Sequence, residues 1–453
     1  MKSLKILLIN PAQLSKHMAK TSRTFRVPQN TLATLAALTP HDDVKIVDEL
    51  IEDVNYEEEA DVVGVTAMTD NVIRAYQIAD EFRKRGYPVV LGGPHPTAVP
   101  NESLKHADAV VKGEAEGLWE DLVEKIRKGK RPKGIFQRST LPSMENIARP
   151  RRDLLKKEHY IDVDIVQTTR GCPHQCEFCS VNKFFGRKVR SRPVRDIVAE
   201  MDEDCGRRIF FVDDNLTGNI SFAKKLFREM APLKKEWIAQ VTVNTGRDTE
   251  LVKLISKSGC TGVFIGIESV DQATLIHMNK RQNKADKFLE QIKNMQDHGI
   301  PLLGAFVFGF DTDDHGIFQK TLDFLDKTKL DLAQFTIITP LPGTDLYTRW
   351  QKEKKLRYKD WWLSQHWTEV LFHPEKMTPE ELQRGWVNTS VEYYKQRQIM
   401  KRVSRNLVKN GLRKSLLIAQ MNLSYRESAM HMAVDLDIKP DQKFFEETAA
   451  VTV

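Results

Sequence analysis

Three cysteines stand close together in Thr169-Arg170-Gly171-Cys172-Pro173-His174-Gln175-Cys176-Glu177-Phe178-Cys179. Their spacing, C-x3-C-x2-C, follows directly on a strand-like apolar run from Val163 to Val166. Three thiolates can hold three irons of a cubane [4Fe–4S] cluster, whereas a fourth would close its coordination. No fourth cysteine lies near, so one iron would stay open to a small-molecule ligand, which suits chemistry rather than electron storage. The alternatives are three buried structural thiols or a zinc site. Zinc sites usually bring two C-x2-C pairs, and the remaining cysteines, Cys205 and Cys260, are isolated. Residues 1–171 contain no cysteine, so a single cluster is expected.

Other polar residues close apolar runs further along. Asp213, Asp214 and Asn215 follow Phe210-Phe211-Val212. Paired carboxylates beside an amide suit a cationic amino group or a sulfonium; a helix N-cap on an acidic turn is the structural alternative. Asn244 could hydrogen-bond a ribose or a carboxylate, and Arg247 could pair with a carboxylate, although capping or a surface charge would account for either. Glu268, in Gly266-Ile267-Glu268-Ser269, could grip ribose hydroxyls. The run Gly304 to Asp313, which includes Phe310, has glycines that allow close backbone approach to a flat ligand or serve strand packing.

These residues need a scaffold. Residues 161–372 read as repeated β/α units. Strands are predicted at 165–168, 208–212, 240–244, 262–267, 303–308 and 332–338, with helices at 194–203, 220–230, 249–257 and 284–298 between them. Six strands suit a partial (β/α)6 barrel, whose site lies at the carboxyl ends of the strands. Upstream, residues 1–135 alternate strands (5–11, 61–67, 88–91, 107–114) with helices (72–85, 118–126). That alternation predicts a doubly wound, Rossmann-like α/β sheet, which binds ligands beyond its strand ends. Thr66, Gly92, Gly93, His95, Gly113 and Glu114 stand there. No G-x-G-x-x-G follows a strand, which argues against a dinucleotide. Residues 136–160 read as a linker, preceded by a basic run, Arg127 to Lys133, that suits solvated surface. Residues 373–453 read as a helical segment, with Thr378 as N-cap and Pro379 in the first turn. Lys395 to Lys414 is a basic helix that could lie on an anionic membrane or pack on the barrel, and 427–453 is expected to be irregular.

Taken in order, the motifs resemble those of the cobalamin (B12)-dependent radical S-adenosylmethionine (SAM) family over roughly residues 1–370. The resemblance implies that Cys172, Cys176 and Cys179 hold the cluster and that Phe178 lies beside the adenine of SAM. It places Asp213, Asp214 and Asn215, which match the family's D-D-N, at the SAM amino group, with Asn244, Arg247, Glu268 and Phe310 as further SAM contacts. Thr339 to Tyr347 matches the family's P-x-P-G-T-x-L-Y loop, a structural element. The loops Gly92 to Thr97 and Gly113 to Glu116 resemble those that hold cobalamin. The D-x-H-x-x-G signature of other B12 proteins is absent after the first strand, where Asn10-Pro11-Ala12-Gln13-Leu14 stands, so no histidine is expected on the lower face of cobalt. His95 is included among the cobalamin contacts but not as an axial ligand.

The activity implied is methylation of an unactivated carbon. The reduced cluster cleaves SAM to a 5'-deoxyadenosyl radical, the radical takes a hydrogen from the substrate, and methylcobalamin supplies the methyl group. A lipid or isoprenoid-type substrate would fit a membrane-bound C-terminal helix. Cyclisation, oxidation or carbon–carbon bond formation without methyl transfer is the alternative, and a redox or ligand sensor is a third. A methylthiotransferase would usually bring cysteines in the N-terminal domain. A reductant such as flavodoxin or ferredoxin is implied. The chain has 453 residues, five cysteines and a net charge of +7, which neither build a disulfide framework nor by themselves imply nucleic acid. With no signal-peptide pattern, no 20-residue apolar run and an oxygen-labile cluster, the expected location is the cytoplasm, with peripheral membrane contact through the C-terminal helices.

Overall fold

Two all-parallel sheets, each of six strands, position the polar residues described above. The computed structural model describes residues 3–13, 26–364, 369–441 and 444–445. Leu14 of the first loop and 446–453 of the tail lie outside the described residues.

The first sheet is built from β1 (Lys5–Asn10), β2 (Asp43–Asp48), β3 (Val62–Thr66), β4 (Val89–Gly92), β5 (Ala109–Lys112) and β6 (Gly134–Gln137), in the order β2-β1-β3-β4-β5-β6. Its strands are runs of aliphatic residues because both faces are covered. Leu4, Ile6 and Leu8 pack with Leu32, Ala36 and Trp119 on one face. Leu7 and Ile9 pack with Ala75, Ile78 and Phe82 on the other. Two strands escape the sequence reading. β2 carries Asp and Lys among its apolar residues, and β6, at the edge, alternates half-buried and exposed residues. The first sheet therefore runs on to Gln137, and part of the basic run is structural: Arg127 pairs with Asp42 at 2.8 Å and Arg131 with Asp108 at 3.0 Å.

The second sheet comprises β7 (Asp164–Val166) and, beyond the short antiparallel hairpin of β8 (Thr169–Arg170) and β9 (Arg190–Ser191), β10 (Arg208–Phe211), β11 (Glu236–Thr242), β12 (Cys260–Glu268), β13 (Leu302–Phe308) and β14 (Leu332–Ile337). The order β14-β13-β12-β11-β10-β7 leaves β7 and β14 at opposite ends, so the ring stays open, as in a partial barrel. β11 starts earlier than its sequence suggests, and Val243–Arg247 forms a tight helical turn rather than strand.

The C-terminal helix Pro379–Tyr393 starts in a capping box: Thr378 Oγ1 accepts from the Glu381 amide at 3.1 Å, and Glu381 accepts from the Thr378 amide at 2.7 Å. The next helix, Gln396–Asp435, is bent at Gly411, whose φ of 77° is outside the helical range. It overturns the expectation of irregular chain from 427. No described helix is long and apolar enough to cross a membrane.

Candidate active site

Between β8 and the short helix Val181–Phe184 the chain folds into the loop that carries all three motif cysteines. Gly171 makes the entry possible: its φ is 92°, and a Cβ there would stand 2.6 Å from the Lys188 carbonyl. The thiols feel one another. Burial first, and then the Cys176 and Cys172 sulfurs, push the Cys179 thiol up to about 12. Burial also raises Cys172 and Cys176. Three sulfurs withdrawn from water, none in a disulfide, form a donor set that fits a cluster and stabilises as thiolates once metal supplies the positive charge. The Gln282 side-chain amide donates to the Cys176 sulfur at 3.8 Å, and Asn215 hydrogen-bonds the Cys172 sulfur.

The acidic pair after β10 divides its work. Asp213 is buried and accepts from the Thr168 amide at 3.2 Å, the Thr168 hydroxyl at 2.8 Å, the Thr169 hydroxyl at 2.6 Å and the Thr169 amide. Its carboxylate anchors the segment that leads into the cysteine loop, so Asp213 is corrected from ligand contact to positioning residue. The Asp214 carboxylate accepts from its own backbone amide but from no other residue's donor among the described residues, and burial followed by the Asp213 charge pushes its pKa up to about 6. It stands within electrostatic reach of Cys172 and Cys179. An otherwise unpartnered, half-desolvated carboxylate beside the cluster loop is what an ammonium group would neutralise.

At the end of β12, Glu268 adopts φ 67°, a left-handed conformation, where the β12–β13 register breaks. Such strain is held only where the surroundings fix it. One Glu268 oxygen, Oε1, is taken by Lys280, a buried residue the sequence reading did not pick out. Burial works against the Lys280 charge, but Glu268 and then Cys176 outweigh it and raise its pKa. The cation also lowers the His174 pKa, behind burial. Next to it, Asn283 is fully buried, donates to the Gly266 carbonyl at 3.1 Å and leaves its own Oδ1 without a partner. Asn244 Oδ1 is likewise buried and unpartnered, while its Nδ2 donates to the Gln282 carbonyl at 2.9 Å. Two orphaned acceptors, a carboxylate oxygen and a cation in one neighbourhood fit the hydroxyl, amino and carboxylate groups of SAM. Phe178 and Phe310 are in tilted contact, with centroids 6.0 Å apart, suited to the edge of an adenine. Arg247, by contrast with these buried groups, is exposed at the end of the Val243–Arg247 helical turn.

The first sheet presents a second cradle at the ends of β3, β4 and β5, where Thr66, Gly92 and Gly113 are half-exposed. Gly113, with φ 89°, has open space where a Cβ would point, and its amide donates to Thr97 Oγ1 at 2.9 Å. That space fits a bulky cofactor approaching the backbone. Gly93 has a different reason to be glycine: at φ 103°, a Cβ would meet the Ala67 carbonyl at 2.8 Å and Thr66 Oγ1 at 2.9 Å. Two sequence expectations are corrected. His95 is fully buried, with Nδ1 3.2 Å from Thr69 Oγ1, Nε2 3.3 Å from Glu102 and its ring edge-on to Trp362. Both nitrogens are spent on protein. Glu114 is turned away from the cradle into ion pairs with Arg170, at 2.6 Å, and Arg190.

Known proteins match the chain over parts of both sheets. Residues 166–325 match the radical SAM superfamily, residues 34–133 the B12 binding domain and residues 344–443 a domain of unknown function (DUF4070). The chain is 31% identical over 413 residues to bacteriochlorophyllide d C-12(1)-methyltransferase of Chlorobaculum tepidum, covering 88% of this chain and 89% of that one. It is 28% identical over 354 residues to hopanoid C-2 methylase of Rhodopseudomonas palustris, covering 74% and 66%. The radical SAM methyltransferase TsrM of Kitasatospora setae, solved with cobalamin and a [4Fe-4S] cluster, shares the fold with a TM-score of 0.64 at 16% identity, over 78% of this chain and 75% of that one. The chain belongs to the cobalamin-dependent radical SAM family. Its cofactors are a [4Fe–4S] cluster, SAM and cobalamin. Within that family it is a radical SAM C-methyltransferase, acting on a small-molecule substrate with electrons from a reductant.

Proposed function

We propose that the enzyme methylates an unactivated carbon of a lipid or isoprenoid-type acceptor taken from a membrane surface. The observation that carries this reading is the row of exposed apolar residues on the helix Gln396–Asp435. Its inner face is mixed: Arg402, Asn406, Ser415 and Asn422 are buried alongside Ile399, Ile418, Ala429 and Ala433, and Asn406 donates to Asp331 at 2.7 Å. Its outer face is apolar, with Val408 at 91%, Leu412 at 65%, Leu416 at 61% and Val434 at 75% exposure. From Tyr393 to Arg426 the chain carries no acidic residue. Arg405, Lys409 and Arg413 turn back to Asp331, Asp297 and Glu236, while Arg397, Lys401 and Arg426 are exposed. Apolar side chains flanked by unbalanced positive charge suit the headgroup region of an anionic bilayer. The relatives named above act on bacteriochlorophyllide d and on a hopanoid, which supports an apolar acceptor.

In this reading Cys172, Cys176 and Cys179 hold the cluster, and Thr66, Gly92 and Gly113 line the cobalamin side. When bound, the cluster and SAM supply a 5'-deoxyadenosyl radical, and cobalamin delivers the methyl group. Asp214 would hold the SAM ammonium and Lys280 its carboxylate, with Asn244, Asn283 and Glu268 as acceptors for its ribose and amino groups. Phe178 and Phe310 exclude water from the adenine. Flavodoxin or ferredoxin provides the electrons.

Flotation with vesicles tests the membrane reading. The full chain should float with phosphatidylglycerol vesicles, bind phosphatidylcholine vesicles at least several-fold less and lose anionic binding when Leu412 and Leu416 are both changed to Ser. Equal failure to float with both, together with a stable dimer in sedimentation that the same double substitution dissociates, would overturn it in favour of a second copy on this face.

A further inference from the structure

The Glu114 side chain is buried, at 1% exposure, and the residue is next to the open cradle at Gly113. Its carboxylate is shared by two guanidinium groups. Arg170 reaches Oε2 at 2.6 Å, and Arg190 reaches Oε2 at 3.1 Å and also Oε1. Glu116 adds a second carboxylate to Arg170 at 2.7 Å. The two arginines are cross-strand neighbours in the β8–β9 hairpin, paired Arg170 to Arg190, so both project from one place toward the same acid. Each is held from behind: Arg170 donates to Gln167 Oε1 at 2.8 Å, and Arg190 donates to the Pro142 carbonyl at 2.7 Å and the Phe185 carbonyl at 3.1 Å.

The covalent spacing gives this cluster its meaning. Arg170 is separated from Cys172 only by Gly171, whose backbone has no slack against Lys188. Glu114 adjoins Gly113, whose amide is fixed by Thr97. A buried, bidentate ion-pair cluster is geometrically exacting, and removing one partner leaves uncompensated charge. A displacement of either loop is therefore passed to the other through a connection one residue long at each end.

We propose that Glu114 is a positioning residue that makes cobalamin binding and SAM binding at the cluster a single coupled event. The proposal rests on the assignment of Gly113 to cobalamin and Cys172 to the cluster. SAM bound at the cluster would favour the arrangement in which Arg170 and Arg190 hold Glu114 and the Gly113 amide is set against Thr97, the one the cobalamin cradle requires. Reciprocity then requires cobalamin to raise SAM affinity by the same factor.

The test is a pair of titrations on the anaerobically reconstituted full chain, with the cluster kept oxidised so that SAM is not cleaved. Hydroxocobalamin binding is followed by its absorbance with and without saturating SAM. SAM should tighten hydroxocobalamin roughly 5- to 50-fold in the native protein. In Glu114→Gln this factor should fall to about 1–2, and Glu114→Asp, which keeps the charge, should recover part of it. Iron–sulfur absorbance and hydroxocobalamin binding without SAM report that each variant is folded. If Glu114→Gln retains neither, Arg190→Lys is measured in its place and should show the same loss of coupling. A native protein without coupling, or a folded variant with the native factor, would overturn the proposal. Gly113→Leu and Cys172→Ala separately test the cofactor assignments through cobalamin and iron content, so failure of the placement is told apart from failure of the coupling.

Discussion

Replacing Asp213 with Ala separates two roles for a carboxylate at the end of β10. If Asp213 anchors the segment before the cysteine loop, the substitution strips the acceptor from two backbone amides and two hydroxyls of Thr168 and Thr169. The hydroxyls can rotate to other acceptors, but the buried amides have nowhere to turn. Each orphaned amide costs about 1–3 kcal/mol. Part is returned because a carboxylate whose pKa is raised by burial is itself removed. A net loss of about 2–4 kcal/mol remains, equivalent to a drop in melting temperature of roughly 4–16 °C for a domain of this size. Asp213→Asn keeps one acceptor oxygen and should lose about half as much. Thermal unfolding of the apoprotein, followed by iron and sulfide analysis after reconstitution, reads both stability and loop integrity. The reasoning fails if Asp213→Ala melts within about 2 °C of the native protein, loads a full cluster, and yet no longer cleaves SAM. That combination would make Asp213 a direct ligand contact.

Three further outcomes are expected. Cys176→Ala should assemble no [4Fe–4S] cluster and release no 5'-deoxyadenosine under reduction; retained cleavage would remove Cys176 from the ligand set. Gly113→Leu should lower hydroxocobalamin loading at least tenfold without changing iron content, whereas Gly93→Leu should act on stability, because its side chain would drive into Thr66 and Ala67 rather than into the cradle. Asp313 is buried and accepts from the Gly309 and Phe310 amides at 2.9 and 3.1 Å, and burial pushes its pKa up to about 7. Since the folded chain then holds this proton more tightly than the unfolded one, its contribution to stability is full below the usual carboxylate range and declines as pH rises to about 7. Asp313→Asn should flatten that decline in a melting-temperature series; an unchanged slope would mean that the group is ionised in the fold.

Much of the site was legible because its chemistry is local. Cys172, Cys176 and Cys179 lie within eight residues, and Asp214, Asn244, Glu268 and Phe310 each close a strand or a strand-like run. Alternation of apolar strands with helical periodicity was enough for both sheets. What was missed depends on partners far along the chain. Lys280 has no motif of its own and acquires meaning only against Glu268 and the cysteines. Glu114 reads as a loop acid until Arg170 and Arg190 are seen beside it. The sequence does not show that Asp213 accepts from the Thr168 and Thr169 amides and hydroxyls, or that Arg247 is exposed. The helix Gln396–Asp435 extends past Glu427 with only the small Ala429 and Ala433 buried there, and part of its inner face is polar, Arg402, Asn406 and Asn422 being buried, so its apolar periodicity is weak.

The sheets are joined at several separated points, and their number has a mechanical consequence. Asp48, at the end of β2, accepts from Tyr160 at 2.8 Å, just before β7. Glu102, after β4, accepts from Trp362 at 3.1 Å. Glu114, after β5, holds the hairpin. With four strand spacings between β2 and β5, the outer two lie roughly 19 Å apart. A body pinned at one point can turn freely, at two it keeps one axis, and a third pin off that axis removes it. A clamshell opening of one sheet from the other would therefore have to break at least one of these contacts.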